Sequence, residues 1–366
     1  MDVFGKSYRA ISYNEAYACI EIIDQTKLPH EFEIRRLKTV EDFCLAIKHM
    51  QVRGAPLVGI TAAYGMALGL MNDDSHQFEQ YLYKKLMETR PTAVNLRWAL
   101  DRVRAHIYNI KAGGRGQRAL EFCHELADGD VEVCQAIACN GVALLRELSQ
   151  SKKGEVLNIL THCNAGWLAT VDWGTALSPI YKALGEGIAL HVWVSETRPR
   201  NQGHLTSWEL SQQSIDHTLI TDNAVGLLMQ QGRVDCCIVG SDRTTAGGDV
   251  CNKVGTYLKA LTASRHNIPF YVALPSSTVD WRLLDGKDIP IEERSHDEIL
   301  YIEGWSESCH HLQTVRLGIN NNTAYNPAFD ITPGELITGL ITEHGVYQAN
   351  KKSMEVLKNI VSKRNK

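Results

Sequence analysis

From residue 154 onward, five short apolar runs alternate with stretches of helical periodicity, and no other feature of the chain constrains its fold as strongly. These runs lack the strict apolar–polar alternation of half-exposed strands, as is typical of strands buried on both faces of a parallel sheet. Helices between successive strands make βαβ units, so the pattern predicts an α/β, doubly wound domain. The predicted strands are 156–161, 189–194, 217–220, 236–239 and 270–274.

The first 150 residues follow a different pattern, because their apolar residues recur mainly at helical spacing. The chain has 366 residues, which exceeds the size at which a single hydrophobic core usually stops growing. We therefore expect two domains, with residues 1–150 mainly helical and residues 151–366 holding the sheet. Within the first domain the predictions are short strands in the first thirty residues, helices over 39–50, 59–70, 95–108 and 130–148, and a glycine-rich loop over 112–116. Further along, residues 305–322 are predicted to form a long loop or insertion.

Charge and hydropathy narrow the possible partners. The chain carries 38 Lys and Arg against 42 Asp and Glu, and its basic residues cluster only at 351–352 and 363–366, so nucleic acid is not expected as a partner. No apolar run reaches the roughly 18 residues that a membrane span needs, and the N-terminus lacks a signal-peptide pattern. We therefore expect a cytoplasmic protein without a membrane partner.

The ten cysteines favour reduced thiols over disulfides. None belongs to a CxxC pair, and several lie inside apolar runs, as Cys236 and Cys237 do. A long chain without an export signal is expected to keep such cysteines reduced. Cys309 is followed by two histidines, but no second cluster of ligands stands at metal-binding spacing, so no metal site is predicted.

Polar residues follow all five predicted strands. In an open parallel sheet, ligands bind outside the carboxyl ends of the strands. The convergence of these segments therefore predicts the position of a binding site. No GxGxxG or GxxxxGK[ST] motif occurs, so no nucleotide cofactor is expected. The polar segments are 161–166, 195–203, 221–223, 240–253 and 275–280.

Two residues at these strand ends are candidates for acid–base chemistry. Cys163 follows the first strand and precedes a predicted helix, and a thiol at a helix N-terminus has a lowered pKa. The alternative is an inert buried cysteine. Asp242 follows a fully apolar strand, where burial could raise its pKa enough to retain a proton near neutrality. Its alternatives are a helix cap or an ion pair with Arg243.

Glycines and basic residues suggest an anion site. Gly247 and Gly248 precede Asn252 and Lys253, an arrangement that suits either a phosphate or hydroxyl cradle or an ordinary turn.

Two arginines of the N-terminal half stand at turns. Arg53 precedes the Gly-Ala-Pro sequence at 54–56, and Arg90 precedes a predicted helix. A guanidinium can bind an oxyanion through two hydrogen bonds, although either arginine could instead form a surface salt bridge. A site between the two halves of the chain would explain both arginines.

Seven segments, in order along nearly the whole chain, together match the motifs of a known family. They are RGAPLVGITAAYG (53–65), RPTAVNLRWALDRV (90–103), THCNAGWLAT (161–170), ETRPRNQGHLTSWEL (196–210), VGSDRTTAGGDVCNKVGTY (239–257), IPFYVALPSSTVD (268–280) and YNPAFDITPGELITGLITEHG (325–345). The set resembles the methylthioribose-1-phosphate isomerase family. Its superfamily also holds the regulatory subunits of the exchange factor for eukaryotic initiation factor two.

The resemblance implies a Rossmann-like C-terminal domain after a mainly helical N-terminal domain with a small strand element, assembled as a homodimer. The implied reaction, a step of methionine salvage, isomerises 5-methylthioribose 1-phosphate to 5-methylthioribulose 1-phosphate without a cofactor. By matching motifs, the family's catalytic residues fall on Cys163 and Asp242. The implied substrate-binding residues are Arg53, Gly54, Ala55, Arg90, Gln202, Asn252 and Lys253.

The expected chemistry has Asp242 protonate the ring oxygen while a Cys163 thiolate removes the proton from carbon 2. A hydride shift between carbons 2 and 1 is the alternative route. Trp167 and Trp208 are candidates for an apolar wall around the methylthio group, or else belong to the core.

Two departures from the family pattern leave other functions open. Gly247 stands where the family usually has Asn, and the 305–322 segment is longer than the family pattern suggests. Both leave room for a related substrate such as 5-deoxyribose 1-phosphate or ribose 1,5-bisphosphate. A non-catalytic regulatory subunit is the alternative from a different functional class.

Overall fold

Short strands and five helices make up the N-terminal part of the chain in this computed structural model, which describes residues 1–91, 93–319 and 321–364. The strands form a two-stranded hairpin (β1, β2) and an antiparallel three-stranded sheet (β3 to β5). They confirm the predicted strands near the N-terminus. Their bounds are β1 Asp2–Val3, β2 Lys6–Ser7, β3 Ile11–Asn14, β4 Cys19–Ile23 and β5 Ile34–Leu37.

All four helices predicted in this part are present, although their bounds differ. The first begins with a capping box, in which the Thr39 hydroxyl accepts the Asp42 N–H and the Asp42 carboxylate accepts the Thr39 N–H. The loop predicted at 112–116 is wrong at its end, because Arg115 already starts the longest helix. The five helices are α1 Val40–Lys48, α2 Ala55–Asn72, α3 His76–Met87, α4 Val94–Ile107 and α5 Arg115–Ser151.

Helix α2 is apolar on every side. By length and composition it could cross a membrane, which corrects the expectation that no such stretch exists. However, 72% of it is buried inside the protein, as expected for the core helix of a soluble protein. It packs against α4 and α5, and its residues Leu57, Ala63 and Met66 are fully buried.

The second part of the chain carries the predicted strands and several more. The strands predicted at 217–220 and 236–239 have the expected bounds. Those predicted at 156–161 and 189–194 are shifted by one residue at both ends, and the one predicted at 270–274 ends one residue earlier. The strands are β6 Leu157–His162, β7 Leu190–Ser195, β8 His217–Ile220, β9 Cys236–Val239, β10 Arg243–Thr245, β11 Val250–Lys253, β12 Phe270–Ala273, β13 Val279–Asp280, β14 Tyr301–Ser306, β15 His311–Arg316, β16 Phe329–Thr332, β17 Gly339–Thr342 and β18 Gly345–Tyr347. The helices are α6 Ser178–Gly185, α7 Gln202–Gln212, α8 Ala224–Gln230, α9 Thr256–Arg265, α10 Asp297–Leu300 and α11 Lys351–Arg364.

The central sheet has seven strands in the order β18-β17-β12-β9-β6-β7-β8. All neighbouring pairs are parallel except β17 and β18. Leaving out β18 and numbering the rest by their order in the chain, the sheet reads 3-2-1-4-5-6, which is the Rossmann arrangement. The predicted doubly wound α/β fold is therefore confirmed. The strand order reverses between β6 and β9, so their carboxyl ends flank the topological switch point.

Two smaller β elements lie beyond the central sheet. Strands β13, β10, β11 and β16 form a four-stranded sheet that follows Asp242. Strands β14 and β15 form an antiparallel hairpin over residues 301–316. The interpretation of 305–322 as an irregular loop is therefore wrong for residues 305–316, which belong to this hairpin, while the alternative of an insertion stays a prediction. Asn320, which that prediction also covered, lies outside the described residues.

Apolar packing joins the two parts of the chain. The larger core contains Ile60 of α2 together with Ile159 of β6 and Val194 of β7. A second core lies on the other side of the sheet around Val239, Val272 and neighbouring residues. The division into domains at residues 1–150 and 151–366 stays a prediction; the suggested boundary falls at the end of α5.

Candidate functional site

A cleft opens at the switch point of the central sheet. Its walls come from the ends of β6 and β9, from β11 and from the N-terminus of α2. It therefore lies where ligands bind in doubly wound folds. All nine residues singled out from the sequence line it: Arg53, Gly54, Ala55, Arg90, Cys163, Gln202, Asp242, Asn252 and Lys253.

Cys163 follows β6 in a left-handed conformation, with φ of 65°. Its N–H donates to the Thr197 hydroxyl (2.9 Å), and its carbonyl accepts from the Thr206 hydroxyl (2.8 Å). The expected helix after Cys163 is absent from this described segment, where only a single 3₁₀ turn begins at Trp167. The predicted location of the thiol at a helix N-terminus is therefore wrong.

The expected lowering of the Cys163 pKa is wrong for the same reason. Burial raises the pKa of Cys163 to about 11, and Lys253 opposes that increase with its positive charge. Without a helix dipole, desolvation of the thiolate outweighs the nearby cation. Most Cys163 thiols therefore carry a proton at neutral pH.

Asp242 lies across the cleft at the end of β9. Burial raises its pKa, as the sequence predicted, while Lys253 and Arg90 act in the opposite direction. Its main-chain N–H donates to the Cys251 carbonyl at 3.0 Å, which starts the antiparallel pairing of β10 with β11. A strand follows Asp242, so Asp242 does not cap a helix. The guanidinium of Arg243 lies 3.9 Å from the carboxylate of Asp280.

Lys253 is electrostatically coupled to both candidate acid–base groups. Burial lowers the pKa of its ammonium group, whereas the charges of Cys163 and Asp242 raise it. Its Nζ donates to the Ala328 carbonyl at 2.9 Å and stacks over the Phe329 ring. A buried cation between two acids favours their ionised forms and suits an anionic ligand.

The glycine pair at 247–248 does not line this cleft. These residues form the turn between β10 and β11, and they pack against the main chain of Leu284 and Ala349. The proposed cradle at this turn is therefore wrong, although Asn252 and Lys253 reach the cleft from β11 itself.

Arg53 and Gln202 bring unpaired polar atoms to the cleft. Among the described residues, none accepts a hydrogen bond from Arg53 Nε and none donates to Gln202 Oε1. Burial, aided by the charge of Arg200, lowers the pKa of Arg53 to about 10, so it remains charged at neutral pH. Unpaired buried polar atoms are costly, and a polar ligand would satisfy both.

Gly54 allows the chain to approach this wall closely. Its φ is 93°, and a Cβ there would collide with the main chain of Ala169. It immediately precedes α2, so the amide end of this helix faces the cleft through Ala55 and Pro56. A helix N-terminus attracts anions through its free N–H groups and its dipole.

An apolar lobe adjoins the cleft beside Asp242 and Arg90. The two spaces share these residues as well as Ala55 and Phe329. The guanidinium of Arg90 lies 3.7 Å from Glu292. The rest of the lobe is mostly apolar and consists of Val58, Ala93, Val94, Arg243, Cys251, Ile289 and Pro290.

Trp167 and Trp208 belong to the core. Trp167 is fully buried and lies 6.1 Å from the Trp208 ring, and neither lines the cleft. All ten cysteines are free thiols, which confirms the prediction of reduced cysteines.

The sequence reasoning overlooked two buried residues close to Cys163. Thr197 binds the Cys163 N–H, as described above. Glu209 accepts hydrogen bonds from Asn164 Nδ2, the Tyr181 hydroxyl and the N–H groups of Trp167 and Leu168. Burial nevertheless raises the pKa of Glu209 to about 7. One signal was available: Glu209 is a lone acid between the apolar residues Trp208 and Leu210.

Comparisons with known proteins give matches along nearly the whole chain. The model of the Initiation factor 2 subunit family matches residues 51–349. A protein of Rhizobium meliloti named methylthioribose-1-phosphate isomerase is 52% identical over 360 residues, covering 98% of this chain and 99% of that protein.

Two solved structures are also similar. The 5-methylthioribose 1-phosphate isomerase of Pyrococcus horikoshii OT3 superposes with a TM-score of 0.82 at 37% identity, covering 97% of each chain. The translation initiation factor eIF-2B, subunit delta, of A. fulgidus superposes with a TM-score of 0.77 at 40% identity, covering 95% of this chain and all of that one (100%).

Proposed function

Because this chain belongs to the Initiation factor 2 subunit family and, within it, to the methylthioribose-1-phosphate isomerases, we propose that it converts 5-methylthioribose 1-phosphate into 5-methylthioribulose 1-phosphate. One observation carries the assignment of residues: Cys163 and Asp242 line one cleft at the switch point, together with Lys253, Arg53 and Arg90. We propose that Cys163 and Asp242 transfer the protons and that the three cations bind the phosphate and hydroxyl groups.

The phosphate on carbon 1 prevents free ring opening, so the enzyme must break the bond between carbon 1 and the ring oxygen. Cys163 as thiolate removes the proton from carbon 2, and the electron pair forms a carbon 1–carbon 2 double bond. The bond to the ring oxygen breaks, and the Asp242 carboxyl group protonates that oxygen. The open-chain product of this step is a phosphorylated enediol.

The second half of the reaction restores both groups. The Cys163 thiol returns its proton to carbon 1, while the carboxylate of Asp242 accepts the proton of the 2-hydroxyl group. Carbon 2 becomes a ketone, and the enzyme ends with a thiolate and a carboxyl group. A positioned acid or base of this kind typically contributes about 10²- to 10⁴-fold to the rate.

The raised pKa of Cys163 fits this scheme when the protons held by Cys163 and Asp242 are counted together. Between the pKa of Asp242 and the value of about 11 for Cys163, the pair holds one proton. Thiol with carboxylate and thiolate with carboxyl are two arrangements of the same proton. Burial of Asp242 raises its pKa and so narrows the energy gap between these arrangements, whereas the charge of Lys253 lowers the pKa of both groups.

The route of the hydrogen is tested in deuterium oxide. Proton transfer through Cys163 predicts solvent deuterium on carbon 1 of the product, to the extent that the Cys163 thiol exchanges its proton with solvent before returning it. A direct hydride shift from carbon 2 to carbon 1 would leave the product unlabelled there, and would restrict Cys163 to another role.

The apolar lobe supports the 5-methylthio group as the substituent that this site accepts. It adjoins Asp242, which is assigned to the ring oxygen, and that oxygen is bonded to carbon 4, the neighbour of carbon 5. Val58, Val94 and Ile289 offer apolar contacts to a thioether.

A substrate comparison tests the proposal. The purified protein is assayed without added cofactor on 5-methylthioribose 1-phosphate, 5-deoxyribose 1-phosphate and ribose 1,5-bisphosphate. We expect the methylthio sugar to have the highest kcat/KM. A preference for either other sugar would identify a related isomerase. No turnover on any of them would favour a regulatory subunit, since the similar A. fulgidus protein is named as a subunit of a translation initiation factor.

Assembly and cellular location complete the proposal. The family resemblance implies a homodimer in the cytoplasm, with a sugar phosphate as its small-molecule partner. Light scattering coupled to size-exclusion chromatography tests the dimer, which predicts about twice the chain mass of 40.9 kDa.

A further inference from the structure

The polar segment after the third strand, 221–223, does not line the cleft, yet Asp222 is connected to Cys163 by hydrogen bonds. Its carboxylate accepts from the N–H of Thr197 (2.9 Å), the N–H of Arg198 (2.8 Å) and the Ser195 hydroxyl. These three donors fix the main chain directly after β7. Asp222 therefore organises the loop that carries Thr197.

Thr197 transmits this constraint to Cys163. Its hydroxyl accepts the Cys163 N–H at 2.9 Å and donates to the Ser195 carbonyl at 2.9 Å. The Thr206 hydroxyl donates to the Cys163 carbonyl at 2.8 Å. Both main-chain polar groups of Cys163 are thus bound by threonine hydroxyls.

The conformations of the two linked residues are unusual. Cys163 has φ of 65° and Thr197 has φ of 68°. Few residues other than glycine occupy this region, and a β-branched residue there is an outlier. Such strain persists only where the surroundings enforce it, and it concentrates at functional sites. Here the Thr197 N–H donates to the Asp222 carboxylate and the Cys163 N–H donates to the Thr197 hydroxyl, and these two hydrogen bonds restrain both residues.

The charge of Asp222 is itself supported by a neighbouring cation. The ammonium of Lys259, a side chain only 2% exposed, lies 3.7 Å from its carboxylate. His162 Nδ1 lies 3.8 Å away, and its Nε2 binds the Val254 carbonyl at 2.9 Å, so Nε2 carries the proton. Burial lowers the pKa of His162, which keeps the ring neutral and leaves Lys259 as the counter-charge.

We infer that Asp222, acting through Thr197, is a positioning residue that holds the Cys163 peptide in its left-handed conformation and so presents the thiol to the cleft. For its effect on turnover this inference rests on the proposed isomerase function. Neither Asp222 nor Thr197 lines the cleft, so they act on Cys163 and not on the substrate.

The first test replaces the hydroxyl of Thr197. Thr197→Val keeps the branched shape but leaves the Cys163 N–H without its acceptor, and Thr197→Ser keeps the hydroxyl. A misplacement of a reacting group by about 1 Å can cost roughly 100-fold in rate. We expect Thr197→Val to lower kcat about 10- to 100-fold with KM changed less than about 3-fold, because the substrate-binding cations are unaltered. Thr197→Ser should restore kcat to within about 3-fold of the parent.

Thr342→Val is the matched control. Thr342 is also fully buried, and its hydroxyl accepts the His344 N–H (3.1 Å) and donates to the Gly345 carbonyl (3.0 Å), but it is the last residue of β17 and does not line the cleft. Thr342→Val loses one accepted N–H and one donated hydrogen bond, as Thr197→Val does, without touching Cys163; Thr197 Oγ1 lies in addition 3.3 Å from His162 Nδ1. Equal kcat values for Thr197→Val and Thr342→Val would overturn the inference.

Two further measurements keep the test decisive if Thr197→Val does not fold or the parent does not turn over. Asp222→Asn keeps the shape but can accept only one of the two N–H groups through its single oxygen, so kcat should fall about 10-fold at unchanged KM. Alkylation of Cys163 by iodoacetamide, followed by peptide mass spectrometry, needs no substrate.

We expect both network variants to change the alkylation rate of Cys163 by more than about 3-fold and Thr342→Val to leave it unchanged. If the parent has no isomerase activity but the two network variants still change the alkylation rate of Cys163, the proposed function is refuted and the positioning role is supported. Unchanged rates in an active enzyme would refute the positioning role alone.

Discussion

The two sides of the cleft hold their reactive residues in different ways. On the Cys163 side, the side chains of Thr197 and Glu209 accept main-chain N–H groups and the Thr206 hydroxyl donates to a main-chain carbonyl, which fixes an irregular segment. On the Asp242 side, main-chain pairing of β10 with β11 provides the order, and apolar side chains fill the surroundings. An irregular loop has no ladder of its own, so its main-chain groups must find side-chain partners.

The difference predicts how each side responds to substitution. A hydrogen-bond network depends on single atoms, because each lost acceptor leaves a buried donor unpaired. Main-chain pairing does not depend on side-chain chemistry. Polar substitutions on the Asp242 side should therefore lower the stability of the protein less than those on the Cys163 side. They should instead change its substrate preference. Four experiments compare the two sides.

The largest difference is expected from the same chemical change made on each side. Glu209→Gln turns two acceptor oxygens into one and places an NH₂ group against donors. We expect it to lower the free energy of unfolding by about 2–4 kcal/mol, because buried N–H and O–H donors lose an acceptor. Asp242→Asn should change that free energy by less than about 1 kcal/mol. Urea denaturation measures both, and equal losses would contradict the comparison.

The pH dependence of Cys163 reactivity tests the burial of that side. A pKa of about 11 means that the thiolate fraction still rises about tenfold for each pH unit below that value. Between pH 7 and 9 the alkylation rate of Cys163 should therefore rise about 100-fold.

The exposed Cys309 serves as the internal reference in the same samples. Hydrogen bonds from Ser306 and Ser308 lower its pKa below 9.0. Its alkylation rate should therefore begin to level off within the same pH range. A Cys163 rate that levels off together with that of Cys309 would show an activated thiol and contradict the raised pKa.

Substrate preference is the response expected on the Asp242 side. Ala93→Leu fills part of the apolar lobe. We expect kcat/KM for 5-methylthioribose 1-phosphate to fall about 10-fold relative to 5-deoxyribose 1-phosphate, which lacks the methylthio group and serves as the control substrate. Equal losses on both sugars would show that the lobe does not receive the substituent at carbon 5.

The smallest effect is expected from a substitution that lies on neither side of the cleft. Trp305 of the hairpin β14–β15 stacks on His30 with ring centroids 5.6 Å apart, and it does not line the cleft. Trp305→Ala should leave kcat/KM within about 2-fold of the parent and cost roughly 1 kcal/mol of stability. A loss as large as that of the Ala93 variant would assign the hairpin a role in the reaction.

The sequence predicted the regular parts of the molecule well for a physical reason. Parallel strands such as β8 and β9 produce short apolar runs, and helices with a different periodicity separate these runs. The bounds of the two strands could therefore be predicted from the sequence. Acids in the first turn of α1 indicated where that helix begins. The hairpin at 301–316 was missed, because its exposed strands mix polar and apolar residues and contain Gly304.

The residues that form the site were predicted better than their geometry. Strand ends and turn arginines predicted where the site lies, and the family resemblance implied the nine residues that the cleft brings together. Local sequence could not show that Cys163 takes a left-handed conformation, since the groups that enforce it, Thr197 and Asp222, lie 34 and more positions away. The expected thiol pKa was wrong for the same reason, because burial is a property of the tertiary structure.

The most direct test of the proposed proton-transferring pair is a coupled assay on 5-methylthioribose 1-phosphate with no added cofactor, run on the parent, Cys163→Ser and Asp242→Asn. We expect turnover by the parent and a loss of about 10²- to 10⁴-fold in each variant, with both variants folded. A folded variant of either kind that retains parental kcat would contradict the assignment of Cys163 and Asp242 as that pair.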